Sequence, residues 1–160
     1  MSETLEIANV CDFMKTHLVD VFDTMLATKA TLMENVPAPD FPERVSGSVG
    51  FAGETVNGAV YLHLSAGFAK RAAGTMLGLP PEEMNNEAEV NDVVGEVTNM
   101  VAGGLKSWLC DAGASCAMST PAIIRGTAFV IEPSPSVQRS SQVFDCGDER
   151  VLVEIHIKFN

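Results

Sequence analysis

The chain has 160 residues, a formal charge of -11 at neutral pH and 46% hydrophobic residues. That length and composition suit one domain with a sizeable core, and the acidity argues against nucleic acid or an anionic membrane as partner. Four cysteines, Cys11, Cys110, Cys116 and Cys146, contain no Cys-x-x-Cys pair, so neither a zinc site nor a disulfide framework is indicated, and reduced thiols in a cytoplasmic protein are expected. The N-terminus carries no basic segment followed by an apolar run, so no signal peptide is read, and no apolar stretch reaches the ~18 residues of a membrane span.

In chain order, Val10, Phe13, Met14, Leu18, Val21, Phe22 and Met25 recur at intervals of three and four and predict a core helix over residues 7 to about 28. A proline-bearing connection follows, and then a hairpin with strands at 45–51 and 56–64 around a Gly53-Glu54 turn. Ser65 is placed to cap a helix over 66–77 that ends at Gly78. Asn86 caps the next and longest helix, over 87–111, with Glu89 at capping-box spacing and Gly113 beyond its end. Residues 116–124 are ambiguous and read as extended. Residues 127–131 are predicted as a short strand, stopped by Pro133 and Pro135. A final hairpin joins 137–144 to a strand in which Val151, Val153, Ile155, Ile157 and Phe159 share one face. The sum is α+β, an antiparallel sheet with two long helices packed on it, and each half of the chain echoes the other in running from a long helix to strands.

The longest helix has two unlike faces. Val90, Val94, Val97, Val101, Leu105 and Trp108 form an apolar stripe. Opposite it, Asp92, Glu96, Asn99, Gly103 and Lys106 fall at intervals of four, three, four and three, in one row that faces away from the core. Gly103 and Gly104, in the middle of the helix, each cost about 1 kcal/mol against alanine. Gly104 lies toward the apolar side and suits close packing, whereas Gly103 leaves a notch beside Asn99.

Other sources of chemistry are weaker. His17 sits in a helix pattern and His63 and His156 in strand patterns, where structural roles are expected. Glycines 47 and 50 fall inside a hairpin strand, where no phosphate loop forms. Asp92 and Glu96 have no histidine or cysteine beside them for a metal. Glu-x-x-Asn pairs also occur at Glu6/Asn9, Glu82/Asn85 and Glu83/Asn86. Only Glu96 and Asn99 lie mid-helix beside a glycine notch.

With Asp92-x-x-x-Glu96-x-x-Asn99-x-x-x-Gly103, the stretch SGSVGFAGETVNGAVYLHLSAGFAKRAAGTMLGL and the DVFDTML of the first helix, the sequence resembles the CheC/CheX/FliY family of response-regulator phosphatases. A single central motif favours the CheX branch, and Pro121 is the candidate for the proline that follows the family motif. Ser2, Glu6 and Asn9 imitate a second motif near the N-terminus. The resemblance implies a CheC-like fold and hydrolysis of the aspartyl phosphate on a CheY-type receiver domain. Mg²⁺ would be held by that receiver, with no cofactor on this chain. It further implies catalytic roles for Asn99, which positions the attacking water, and Glu96, which accepts a salt bridge from a receiver lysine; Asp92 and Gly103 would contact the partner. A homodimer is expected, in part from the resemblance and in part because a long terminal strand suggests an exposed sheet edge. The rival readings are a non-catalytic interaction domain like the FliM middle domain, which resembles this fold without the Glu and Asn pair, and an unrelated small-molecule hydrolase, for which no pocket is encoded.

Overall fold

A computed structural model describes residues 5–160. Three α-helices, α1 (Ile7–Leu26), α2 (Ala66–Leu77) and α3 (Glu87–Asp111), combine with seven strands: β1 (Thr31–Met33), β2 (Arg44–Ala52), β3 (Val56–Ser65), β4 (Ala117–Met118), β5 (Ala122–Gly126), β6 (Gln138–Asp145) and β7 (Arg150–Phe159). All pairings are antiparallel, in the order β1-β6-β7-β3-β2-β4, with β5 also on β2. This is the predicted α+β architecture. No helix among the described residues is long and apolar enough to cross a membrane.

Local signals account for the limits of α2 and the start of α3. The Ser65 hydroxyl accepts the Phe68 N–H at 3.0 Å, and Gly78 closes α2 in the left-handed region at φ 72°. The Asn86 side-chain oxygen accepts from Ala88 N–H at 3.0 Å and Glu89 N–H at 3.3 Å, so α3 begins where the cap dictates. Its buried face is broader than the expected stripe, since Val93, Gly95, Thr98, Ala102 and Leu109 join the valines in the core.

The helices lie on one face of the sheet. Val45, Val49, Phe51, Val60, Leu62, Leu64, Val153, Ile155 and Ile157 point into that core, together with Met14, Leu18 and Phe22 of α1. Helix α3 comes close to β2 because position 47 is glycine: a Cβ there would overlap the Thr98 hydroxyl. A Cβ on Gly104 would likewise overlap the His17 ring of α1, whose Nε2 lies 3.1 Å from the Met100 carbonyl oxygen. Gly104 therefore has the packing role read for it.

Two expectations need correction. Residues 127–131 form no strand. The strand in this region is β5, which ends at Gly126 opposite Arg44, the first residue of β2; beyond that point β2 offers no partner. The chain instead crosses to the helix-free face, where the Phe129 ring lies 6.5 Å from that of His63 and 4.7 Å from the Arg44 guanidinium. The C-terminal strand is not at an edge. β7 pairs with β6 on one side and β3 on the other, and the edges are β1 and the β4–β5 strip, so exchange of β7 cannot be the basis of a dimer. On its second face Leu152, Glu154 and His156 are buried and Lys158 is exposed.

That face is closed by loops. Phe41, Val143 and Leu152 form a second small core with Met33 and Val36. Beside it Ser46 Oγ lies 2.6 Å from His63 Nδ1, His63 Nε2 lies 3.3 Å from Glu154 Oε2, and Arg139 reaches Glu154 Oε1 at 3.2 Å. Glu154 tolerates burial because it is paired.

Candidate functional site

Asp92 and Glu96 are exposed on α3, and Asn99, Gly103 and Lys106 are half-buried. The row read from spacing is therefore one solvent-facing row in the structure. Its flanks explain the gradation. At about 100° per residue, Glu96 leans toward α1, whereas Asn99 leans toward the β4–β5 strip that borders the helix on its other side.

Ser119 holds that strip to β2, and Pro121 and Arg125 hold it against α3. Gly50 N–H donates to Ser119 Oγ at 2.9 Å, and Ser119 N–H returns to the Gly50 carbonyl at 2.8 Å. Pro121 then rests on α3 at Gly95, where an added Cβ would stand 3.4 Å from the proline Cγ. From β5, Arg125 Nε donates to Asn91 Oδ1 at 2.8 Å and lies 3.5 Å from Glu87 Oε1. Pro121 thus sits one helical turn from Asn99 and next to Glu96 in register. These contacts escaped the sequence reading, although Gly95 in the middle of a helix and Gly47 in the middle of a strand were available signals of close approach.

Gly103 behaves differently from its neighbours. A Cβ there would meet nothing nearer than Met118 Cε at 4.0 Å, an ordinary contact. No packing among the described residues explains the glycine, and the notch stays open beside Asn99.

The remaining candidates do not converge on this row. Asn9 is half-buried and already engaged within the chain, and Ser2 lies outside the described residues, so the imitation motif gains no site around it. Among the described residues no group of three or more His, Cys, Asp or Glu side chains is placed to hold a metal ion. A recess of about 270 Å³ opens beside the start of α3, lined by Glu43, Lys70, Glu87 and Arg125 among others, and none of the four candidate residues borders it. His63 and His156 are buried in the sheet's other face, with structural partners.

An antiparallel sheet backed by helices, with Glu96 and Asn99 in one solvent-facing row on the longest of them, defines a CheC-like domain. The family model described as "Chemotaxis phosphatase CheX" matches residues 45–145, and the chain belongs to that family. Among solved structures it is similar to the chemotaxis protein CheX from Vibrio vulnificus, at 27% identity and a TM-score of 0.79 over 97% of this chain and 100% of that one. A CheC-like superfamily protein from Shewanella sp. PV-4 follows at 28% identity and 0.78, over 92% and 96%. The CheX-CheY-BeF3-Mg²⁺ complex from Borrelia burgdorferi matches at 21% identity and 0.74, over 92% and 97%, a likeness of fold. No curated protein matches the chain in sequence.

Proposed function

We propose that this chain dephosphorylates the aspartyl phosphate of a CheY-type receiver domain, with α3 as the docking and catalytic helix. The observation that carries the reading is the row itself: Glu96 and Asn99 one turn apart, facing solvent, beside a glycine that packing among the described residues does not require. Membership of a phosphatase family and a structural relative solved with CheY support it.

Acyl phosphate hydrolysis asks little covalent chemistry of the helper protein. A water oxygen forms a bond to phosphorus in line with the departing aspartate carboxylate, the P–O bond to that carboxylate breaks, and inorganic phosphate leaves. The barrier falls mainly through positioning and electrostatics. The Asn99 amide oxygen accepts a hydrogen bond from the water and aims its lone pair; a neutral amide cannot act as a strong base and need not. Glu96 accepts a salt bridge from a lysine of the receiver and fixes the helix in register. Asp92 extends the docking row, and Gly103 admits the partner's backbone. The receiver, in this reading, carries the Mg²⁺.

The test is phosphate release from a phosphorylated receiver. Asn99→Ala is expected to lower the stimulated rate by about 10²–10³-fold with unchanged circular dichroism, while Asn9→Ala stays near wild type. Wild-type release by Asn99→Ala would remove Asn99 from the mechanism and favour the interaction-domain reading. We further propose a homodimer, now through the β5 edge, whose outer side has no partner strand among the described residues and next to which Ile124 and Val130 are exposed.

A further inference from the structure

Asn99 lies between two holds on α3. On the strip side, Arg125 is bonded to Asn91 and Pro121 rests on Gly95. On the other side, toward the C-terminal half of the helix, the hold comes from the half-buried His17 of α1. Its Nε2 lies 3.1 Å from the carbonyl oxygen of Met100, the residue after Asn99. A carbonyl only accepts, so Nε2 carries the proton and donates, which fixes the tautomer. In a regular helix the same carbonyl also accepts the Gly104 N–H, and Gly104 is where the ring enters: a Cβ there would overlap the Nε2, Cε1 and Cδ2 atoms of His17. Phe13 backs the imidazole, stacked at 5.2 Å between centroids, and itself lies 5.9 Å from the Trp108 ring of α3. The two helices thus run antiparallel and are keyed together at the turn that spans residues 100–104. This key is not required to satisfy the helix, because the Met100 carbonyl has its helical donor and alanine at 104 would make the better helix. What it adds is a fixed rotation of α3 about its axis.

We propose that His17 is a positioning residue for the phosphatase site: its hydrogen bond to the Met100 carbonyl, seated in the Gly104 gap, fixes the rotation of α3 and with it the place of the Asn99 amide against the attacking water. This inference rests on the phosphatase reading. A group about 5–6 Å from the helix axis moves by about 1 Å when the helix turns by about 10°, and a misplacement of that size can cost about 10²-fold in rate. The two functional side chains differ in their tolerance of such a turn. Asn99 is short and must hold a water in line with phosphorus. Glu96 meets a lysine through a longer side chain with one more rotatable bond, so the ion pair can follow a small displacement. Loss of the key should therefore lower the rate of the bound complex and leave docking nearly intact.

The test compares the full chain with His17→Leu, which fills the gap without a donor, and His17→Gln, whose amide nitrogen can donate to the same carbonyl. Rates are taken per folded molecule, with the folded fraction from urea denaturation, so that a loss of stability alone moves nothing. In His17→Leu, kcat for phosphate release from a phosphorylated receiver should fall by about 10–10²-fold while KM stays within about twofold, and His17→Gln should recover most of the loss. A second readout needs no receiver. The side-chain amide resonance of Asn99, identified by its absence in Asn99→Ala, should shift in His17→Leu and return in His17→Gln. Wild-type kcat in His17→Leu would mean that core packing alone sets the helix, and would overturn the proposal. So would a rise in KM that matches the fall in kcat, or failure of His17→Gln to restore the rate. No release by the wild-type chain would overturn the phosphatase reading, and this role with it; an unmoved Asn99 resonance in a chain that does release phosphate would overturn the role of His17 alone.

Discussion

Gly103→Ala separates the structural and functional roles of one atom. Replacing glycine by alanine inside a helix gains about 1 kcal/mol, and here the new methyl meets only Met118 Cε at 4.0 Å, so no packing term opposes the gain. The variant should therefore be more stable by about 1 kcal/mol, which for a domain of this size raises Tm by about 2–4 °C. The same methyl closes the notch to a partner's backbone, and receiver affinity should fall by about tenfold, or about 1.4 kcal/mol. Gly104→Ala is the control, because its methyl overlaps the His17 ring and threatens the contact to the Met100 carbonyl. Overpacking of that kind costs about 1–3 kcal/mol, enough to cancel or reverse the propensity gain. Urea denaturation of both variants, with receiver titration by calorimetry, gives the two readouts. A destabilised Gly103→Ala would refute the packing argument, and a stabilised variant with undiminished affinity would refute the docking role.

Glu96→Lys should weaken receiver binding and phosphate release together by at least about tenfold, and added salt should weaken the wild-type complex in the same direction; unchanged calorimetric affinity at low salt would dismiss the ion pair. Light scattering at micromolar concentration should give twice the 17.0 kDa chain mass, and the single mass would dismiss the dimer. Acid should destabilise the sheet's helix-free face. Burial pushes the Glu154 carboxyl up, but the His63 hydrogen bond and charge, Arg139 and His156 outweigh it and leave it below its ordinary value; burial likewise holds His156 below its own, against the pull of Glu154. Both groups take up protons more readily in the unfolded chain. Their contribution is thus complete above the ordinary histidine range near about 6.5 and is lost as pH falls, first through His156 and then through Glu154. Urea midpoints measured from neutral to acid pH should decline accordingly, and less steeply in Glu154→Gln; a flat profile would contradict the account.

Much of the helical structure was legible because its determinants are local. Asn86, Ser65 and Gly78 mark helix ends within a few residues of themselves, and the predicted limits of α2 and α3 are those observed. The spacing of Asp92, Glu96, Asn99 and Gly103 fixed their common face for the same reason. What failed depended on partners distant in sequence. Alternation in β7 identifies its apolar face but says nothing of which strands flank it. The burial of Glu154 could not be foreseen because its partner is remote: His63 is 91 residues away. β1 has three residues, too few for a period, and Arg125 reaches Asn91 across 34 residues, so the strip that borders the site could not be read from spacing.

The central position of β7 has a kinetic meaning. Hairpins β2–β3 and β6–β7 each close over short turns and form locally, but the sheet becomes one object only when β3 pairs with β7, His63 with Leu152 and Val56 with Phe159. That seam closes loops of about 90–100 residues, at an entropy cost of about 4 kcal/mol, before the ladder can offset it. Until it does, each hairpin presents an open edge and an apolar face to solvent. The slow step of folding should therefore be the meeting of the two halves of the chain, and substitutions at Val60, Leu62, Val153 and Ile155 should retard folding more than they speed unfolding.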